Sequence, residues 1–219
     1  MIIQADNISK AWEQSINFLL SSDIPLIYTQ RGVRAKEYLG VQIVIDNPLK
    51  QPQISSKYIF GDLFVDNYCQ NIMLASGAGQ PSVGNRILRV QNVGQPINNQ
   101  LDKVAKVLKT DSDSRRAIIS LWDAKIDVGT MHPPCICTVQ FFVRNGKLET
   151  IAYIRSNDSW MAALPDMVAV SLLSKTIAEK IEVKVGRYTH FAANYHIYEP
   201  DIMPALQRFS LKEEYDKVE

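Results

Sequence analysis

Residues 137–154 constrain this chain more than any other stretch. Two runs, Cys137–Val143 and Glu149–Ile154, flank the dipeptide Asn145-Gly146. Asn-Gly suits a tight turn whose central residues both take positive φ, so the runs predict an antiparallel hairpin. Ala117–Trp122 is a further strand-like segment, and residues 39–46 (LGVQIVID) form one that ends at Asn47-Pro48. Glu182–Val185 and His196–Tyr198 read as short strands. Helical spacing appears at residues 6–20, where Ile8, Trp12, Ile16 and Leu19 share a face behind an Asp6 or Asn7 cap. It recurs over residues 62–76 and over 96–109, with Ile97, Leu101, Val104 and Leu108 in phase. Residues 166–181 are apolar enough to predict a buried helix, and residues 77–84 (GAGQPSVG) read as a loop matching neither a dinucleotide nor a phosphate-loop fingerprint. Hairpins interspersed with helices imply one α+β domain spanning 1–219.

Charge narrows the function classes. Twenty-four Lys and Arg oppose 23 Asp and Glu, a net +1, so no global field recruits nucleic acid or an acidic membrane. Any anion must be held by a local arginine cluster. A hydrophobic content of 46% excludes the disordered class. There is no basic start followed by an apolar run, and no apolar stretch of roughly 18 residues. Three cysteines, unevenly placed, do not make a disulfide framework. These features predict a cytoplasmic protein without membrane or nucleic-acid partners.

Chemistry concentrates in five places. In His132-Pro133-Pro134-Cys135-Ile136-Cys137 two prolines fix the approach to Cys135, a candidate nucleophile if nearby cations favour its thiolate. A buried thiol or half of a metal site is the plainer reading, and three Cys with three His give a closed zinc site little support. Arg115 and Arg116 precede one strand, and Arg155-Ser156-Asn157-Asp158 ends another. Arginine forks match phosphate oxygens, although such clusters are commonly solvated salt bridges. Arg31 and Arg34, around Gly32, form a third group. His196 and Tyr198 lie two apart, on one face of a strand, where they could bond a sugar hydroxyl or be half-buried aromatics.

Taken in order, DSRRAIISLW, PPCICTVQFFVRNGKL, RSNDSWMAALPDMVAVSLL and VGRYTHFAANYHIY resemble the thymidylate synthase superfamily over residues 96–201, and residues 6–48 do so loosely. The resemblance implies a mostly antiparallel core sheet flanked by helices, a homodimer packed sheet to sheet, a pyrimidine nucleoside monophosphate substrate, 5,10-methylenetetrahydrofolate as co-substrate, and no metal. It implies Cys135 as the nucleophile on C6 of the base. Arg155, Ser156 and Arg31 (with Arg34 competing) would hold the 5′-phosphate, and Arg115 and Arg116 would hold that of the other subunit. His196 and Tyr198 would contact the ribose, and Asp158 would sit between nucleotide and folate.

One departure points to the substrate. Eleven residues after Arg155 stands Asp166, where thymidylate synthases have asparagine and the superfamily's cytidylate hydroxymethylases have aspartate. Cytosine offers an acceptor at N3 and a donor at N4. A protonated carboxyl matches that pattern and an amide matches uracil. The plainer alternative makes Asp166 a helix cap after Pro165. The superfamily also uses a glutamate for proton transfer, yet residues 48–78 hold none, and Asp62 and Asp66 are the only acids there. Ile136 follows the nucleophile where histidine is common, and the sequence ends in the polar SLKEEYDKVE.

The resemblance therefore implies a dCMP or CMP 5-hydroxymethyltransferase. Cys135 adds to C6, C5 takes the methylene carbon from the folate, and water rather than hydride completes the product. The alternatives are a thymidylate synthase acting on dUMP, with a folate or methanopterin donor, and a catalytically silent nucleotide- or RNA-binding homologue. A Cys135/His132 thiol hydrolase is the remotest.

Overall fold

The hairpin that the Asn145-Gly146 dipeptide predicts is formed. In a computed structural model that describes residues 1–21, 23–73, 83–88 and 99–211, Asn145 and Gly146 take φ of 52° and 71°. In chain order the elements are β1 (Ile2–Ala5), α1 (Ile8–Ser21), β2 (Leu26–Tyr28), β3 (Arg34–Ile45), α2 (Gly61–Met73), α3 (Val83–Leu88), α4 (Gln100–Thr110), β4 (Ile118–Ser120), α5 (Ala124–Asp127), β5 (Ile136–Arg144), β6 (Lys147–Ile154), β7 (Asn157–Asp158), α6 (Ala163–Ile181), β8 (Lys184–Tyr198) and α7 (Glu199–Phe209). The sheet runs β1-β3-β8-β6-β5-β4, with β2 on β3 and β7 on β8. The fold is α+β. The β2–β3, β3–β8, β4–β5 and β5–β6 pairings are antiparallel, and β1–β3, β6–β8 and β7–β8 are parallel.

The predicted short strands at 182–185 and 196–198 fall at the two ends of one long strand, β8, which begins at Lys184. Its centre, Ala192-Ala193-Asn194, has weak strand propensity, which divides it in the sequence. In the fold, β6 pairs along Lys184–Ala192 and β3 along Tyr188–Tyr198, so tertiary pairing overrides propensity. The 77–84 loop falls largely outside the described residues, and Val83 and Gly84 begin α3. Residues 74–76, 96–98 and the polar tail from 212 also lie outside them. The short elements β1, β2, α5 and α7 escape sequence reading, and in α7 the interior Pro204 argues locally against a helix.

Layers follow from the alternation. On β6 the inward Leu148, Thr150, Ala152 and Ile154 are buried against the helical side, while Ile151 and Tyr153 are exposed on the other. The helix α6 buries nearly every side of its first three turns, and α1 inserts Trp12, Ile16 and Leu19 into the same core. Asn7 caps α1, accepting from the Lys10 amide at 3.0 Å. Among the described residues no helix is long and apolar enough to cross a membrane.

A buried polar knot ties the helices ahead of the Cys135 loop. Arg86 on α3 grips Asp127 with two parallel bonds of 2.7 and 2.8 Å and also donates to the Leu121 carbonyl. Gln100 on α4 bridges the Arg86 and Ser120 carbonyls. Asp127 is 2% exposed, and the guanidinium holds its carboxyl below the usual carboxylate range. Removing one partner leaves an uncompensated buried charge, so Arg86→Ala should cost about 3–5 kcal/mol in urea denaturation. Arg86→Ala/Asp127→Ala should recover part of the loss. A change no larger than the roughly 1 kcal/mol of a surface pair would contradict this role.

Candidate active site

Cys135 stands at the mouth of the sheet because the backbone is bent there. The β5–β6 register slips between Ile136 and Thr138, a bulge at Cys137. The Cys137 carbonyl instead accepts from Leu121 and Trp122 at 2.8 and 3.1 Å. Arg155 then clamps the loop. Its amide donates to the Cys135 carbonyl at 2.9 Å, Nε and Nη2 donate to the carbonyls of Pro134 and Pro133 at 3.0 and 2.8 Å, and Nη2 lies 3.9 Å from the Cys135 Sγ. Cys135 is exposed, whereas Cys69 and Cys137 are buried. Protein nonetheless surrounds the thiol on its other sides. That desolvation raises its pKa, the Asp166 carboxylate adds to the rise, and Arg155 and Arg31 pull it down. The expected cationic activation is therefore present but outweighed.

The end of β8 supplies the second wall. His196 is held by an Nδ1 bond to Asn194 Oδ1 at 2.8 Å, and Asn194 donates to Glu37 at 2.6 Å. An amide oxygen only accepts, so Nδ1 carries the proton. Burial lowers the His196 pKa to about 4, which leaves the ring neutral with Nε2 as an acceptor. Tyr198 packs edge-on at 4.9 Å, and the Arg31 guanidinium lies 5.7 Å from its ring centroid. Beside them, β7 aligns Asp158 with His196. Asp158 caps the turn that follows, accepting from the amides of Trp160 and Met161 at 3.0 and 3.1 Å. Burial raises its pKa against those bonds and Arg31.

Asp166 is not a helix cap: α6 begins at Ala163, and the Asp166 side chain turns inward with 1% exposure. Its Oδ1 accepts from the Tyr68 hydroxyl and its Oδ2 from Asn157 Nδ2 at 2.8 Å. Burial pushes the carboxyl up to about 7 against those two bonds, with Asp158 adding to the rise. Behind it, Asn157 Oδ1 lies 2.7 Å from His190 Nε2, and His190 Nδ1 lies 2.8 Å from the Tyr188 hydroxyl. Sequence reasoning missed Tyr68, Asn157, His190 and Tyr188. Alternation from His196 places Tyr188 and His190 on its own strand face, which was the available signal.

The remaining predicted residues divide. The field of Arg31 reaches Cys135, Asp158 and His196, whereas Arg34 pairs with Glu199. Ser156 is half-buried in the turn leaving β6. Arg115 and Arg116 are exposed before β4, with Arg116 3.5 Å from Asp111. His132 is exposed on the loop, and the side chain that meets the thiol is Arg155. Asp62 and Asp66 are exposed on α2. At 100° per residue they lie on a different flank from Tyr68, the α2 residue that meets Asp166. Among the described residues no group of three or more His, Cys, Asp or Glu gathers as a metal site.

An accessible cysteine, an arginine clamp and a buried carboxyl thus meet at the mouth of an α+β sheet. Residues 63–217 match the family described as Thymidylate synthase, and the chain belongs to that family. It is 31% identical over 204 residues to a protein of Methanocaldococcus jannaschii named "Putative thymidylate synthase", covering 90% of each chain. Proteins of the same printed name from Methanothermobacter marburgensis (28% identical; 93% of this chain, 95% of the relative) and Methanosarcina barkeri (26%; 91% and 90%) are also similar.

The charges around Cys135 make a signed prediction for alkylation by iodoacetamide followed across pH. Arg155→Gln should move the Cys135 profile to higher pH and Asp166→Asn to lower pH. Coincident profiles in all three proteins would contradict the electrostatic account.

Proposed function

We propose that the chain is a pyrimidine nucleotide C5 hydroxymethyltransferase that converts dCMP or CMP to its 5-hydroxymethyl derivative. The observation that carries this reading is the buried Asp166 carboxyl, whose pKa of about 7 keeps a large neutral fraction at neutral pH. A neutral carboxyl donates from one oxygen to N3 of cytosine and accepts the N4 amino group on the other. The Tyr68 hydroxyl occupies the Oδ1 edge that N3 takes, so base binding replaces one hydrogen bond with another. Neutralising Asp166 also removes a charge that opposes the Cys135 thiolate, so cytosine reading and nucleophile activation share one proton.

In this reading Cys135 Sγ adds to C6 and the electron pair passes to the N3 side of the ring, making C5 nucleophilic. Bound 5,10-methylenetetrahydrofolate supplies the one-carbon unit. Phe60 and Phe64, half-buried and 5.4 Å apart beside Tyr68, offer aromatic surface suited to a flat pterin. Arg155, Ser156 and Arg31 hold the phosphate, Asp158 stands between the two ligands, and the His196 Nε2 acceptor and Tyr198 hydroxyl take the ribose 3′-hydroxyl. Asp62 and Asp66 are the acids left for proton transfer on α2, and both would have to act through solvent.

The second subunit is part of the proposal. Ile118, Ile151 and Tyr153 are exposed on the sheet face away from the helices, and Phe191 stacks on Tyr153 at 5.8 Å. Arg116, two residues before the outward Ile118, stands at the rim of that face. A homodimer packed sheet to sheet covers this apolar surface and carries Arg115 and Arg116 toward the partner's phosphate. The relatives' printed name favours a second reading, methylation of dUMP.

Incubation with methylenetetrahydrofolate and equal dCMP, CMP and dUMP, read by mass spectrometry, separates the two. A 5-hydroxymethyl cytidylate is expected, absent with Cys135→Ser. Methylated uridylate, or bound nucleotide without product, would overturn the proposal. Asp166→Asn, whose amide can also offer its carbonyl to N3–H, should raise dUMP affinity relative to dCMP by about tenfold, or 1.4 kcal/mol.

A further inference from the structure

The chain of buried groups behind Asp166 has a direction, and the direction decides which carboxyl oxygen can carry a proton. His190 is fully buried, and that burial lowers its pKa to about 3, so it is neutral with one N–H. Asn157 is also fully buried, with one donor edge and one acceptor edge. With its Nδ2 on Asp166, its Oδ1 must accept from His190 Nε2–H. His190 Nδ1 then accepts from the Tyr188 hydroxyl, itself fully buried. In this arrangement the His190 ring proton and the Tyr188 hydroxyl proton each have an acceptor.

Along Asn157, His190 and Tyr188 the reversed chain is worse by one group. Turning Asn157 would put Nδ2 on His190 Nε2, shift the ring proton to Nδ1 and make the Tyr188 oxygen its acceptor. The Tyr188 proton would lose the Nδ1 acceptor it has in the first arrangement, and a stranded buried donor is costly. The forward direction therefore holds Asp166 Oδ2 as an acceptor and confines the acidic proton to Oδ1, the edge toward Tyr68.

We propose that Tyr188, His190 and Asn157 are positioning residues that fix the donor–acceptor polarity of Asp166 and thereby the pyrimidine base the site accepts. This rests on the reading that Asp166 meets the base. A proton on Oδ1 with an acceptor at Oδ2 is the cytosine pattern. In the reversed chain Oδ2 donates to Asn157 and Oδ1 faces the base as an acceptor, which suits uracil N3–H. Tyr188 is fully buried and reaches Asp166 through His190 and Asn157, so its influence on base choice comes through the chain.

Tyr188→Phe removes the hydroxyl that biases the direction while keeping the ring. In both directions the group it leaves unpaired is then the same His190 nitrogen. Binding of dCMP and dUMP, measured by calorimetry without folate, should show the wild-type preference for dCMP falling by about tenfold in Tyr188→Phe. Asp166→Asn/Tyr188→Phe should favour dUMP further than Asp166→Asn does. A purely structural role would weaken both nucleotides alike and lower thermal stability. A preference kept within about twofold in Tyr188→Phe, with wild-type discrimination present, would overturn the inference alone. Wild-type protein that does not favour dCMP would overturn the base-reading role of Asp166 and, with it, the inference.

Discussion

The candidate site depends on one costly arrangement: a carboxyl group, Asp166, buried and bonded, among the described residues, by Tyr68 and Asn157. An ordinary aspartate titrates at 3.8, and this one is pushed up to about 7. Between those values the folded protein holds a proton that the unfolded chain has released. The contribution of this group to stability therefore falls as pH rises through that window, by about 4 kcal/mol at 1.4 kcal/mol per unit. A buried carboxyl whose charge opposes folding, next to an accessible cysteine, is the pattern expected of a functional group rather than a structural one.

The fold supplies what the carboxyl requires. The buried helix α6 carries Asp166 inward on its first turn, and β7 and β8 bring Asn157 and His190 up behind it. On the open side the bulge at Cys137 and the Arg155 clamp hold Cys135 facing the same space. His196 and Asp158 are fixed by hydrogen bonds that leave a neutral acceptor and a capped carboxyl. Rigid elements thus set the first contacts of the site, and a second layer of buried polar groups sets those elements.

Much of this was legible in the sequence where local signals were strong. The Asn145-Gly146 turn, the α1 stripe and the apolar run of α6 translate directly into structure, and the ordered motif blocks gave the family. What escaped reading depends on contacts distant in sequence. Tyr68 and Asp166 are joined across 98 positions. The weak centre of β8 is made a strand by partners on both edges. Position after a proline suggests a cap for Asp166, but Asp158 makes the side-chain bonds at that turn and Asp166 turns inward. Arg31 and Arg34 are locally equivalent, and only the pairing of Arg34 with Glu199 separates them.

The most direct test is the titration of Asp166 itself, followed by the carboxyl carbon resonance of protein labelled at aspartate and assigned with Asp166→Asn. A midpoint near 7 is expected for this one group. A midpoint in the ordinary carboxylate range would mean that Asp166 is charged at neutral pH, and the reading of cytosine by a neutral carboxyl would be wrong.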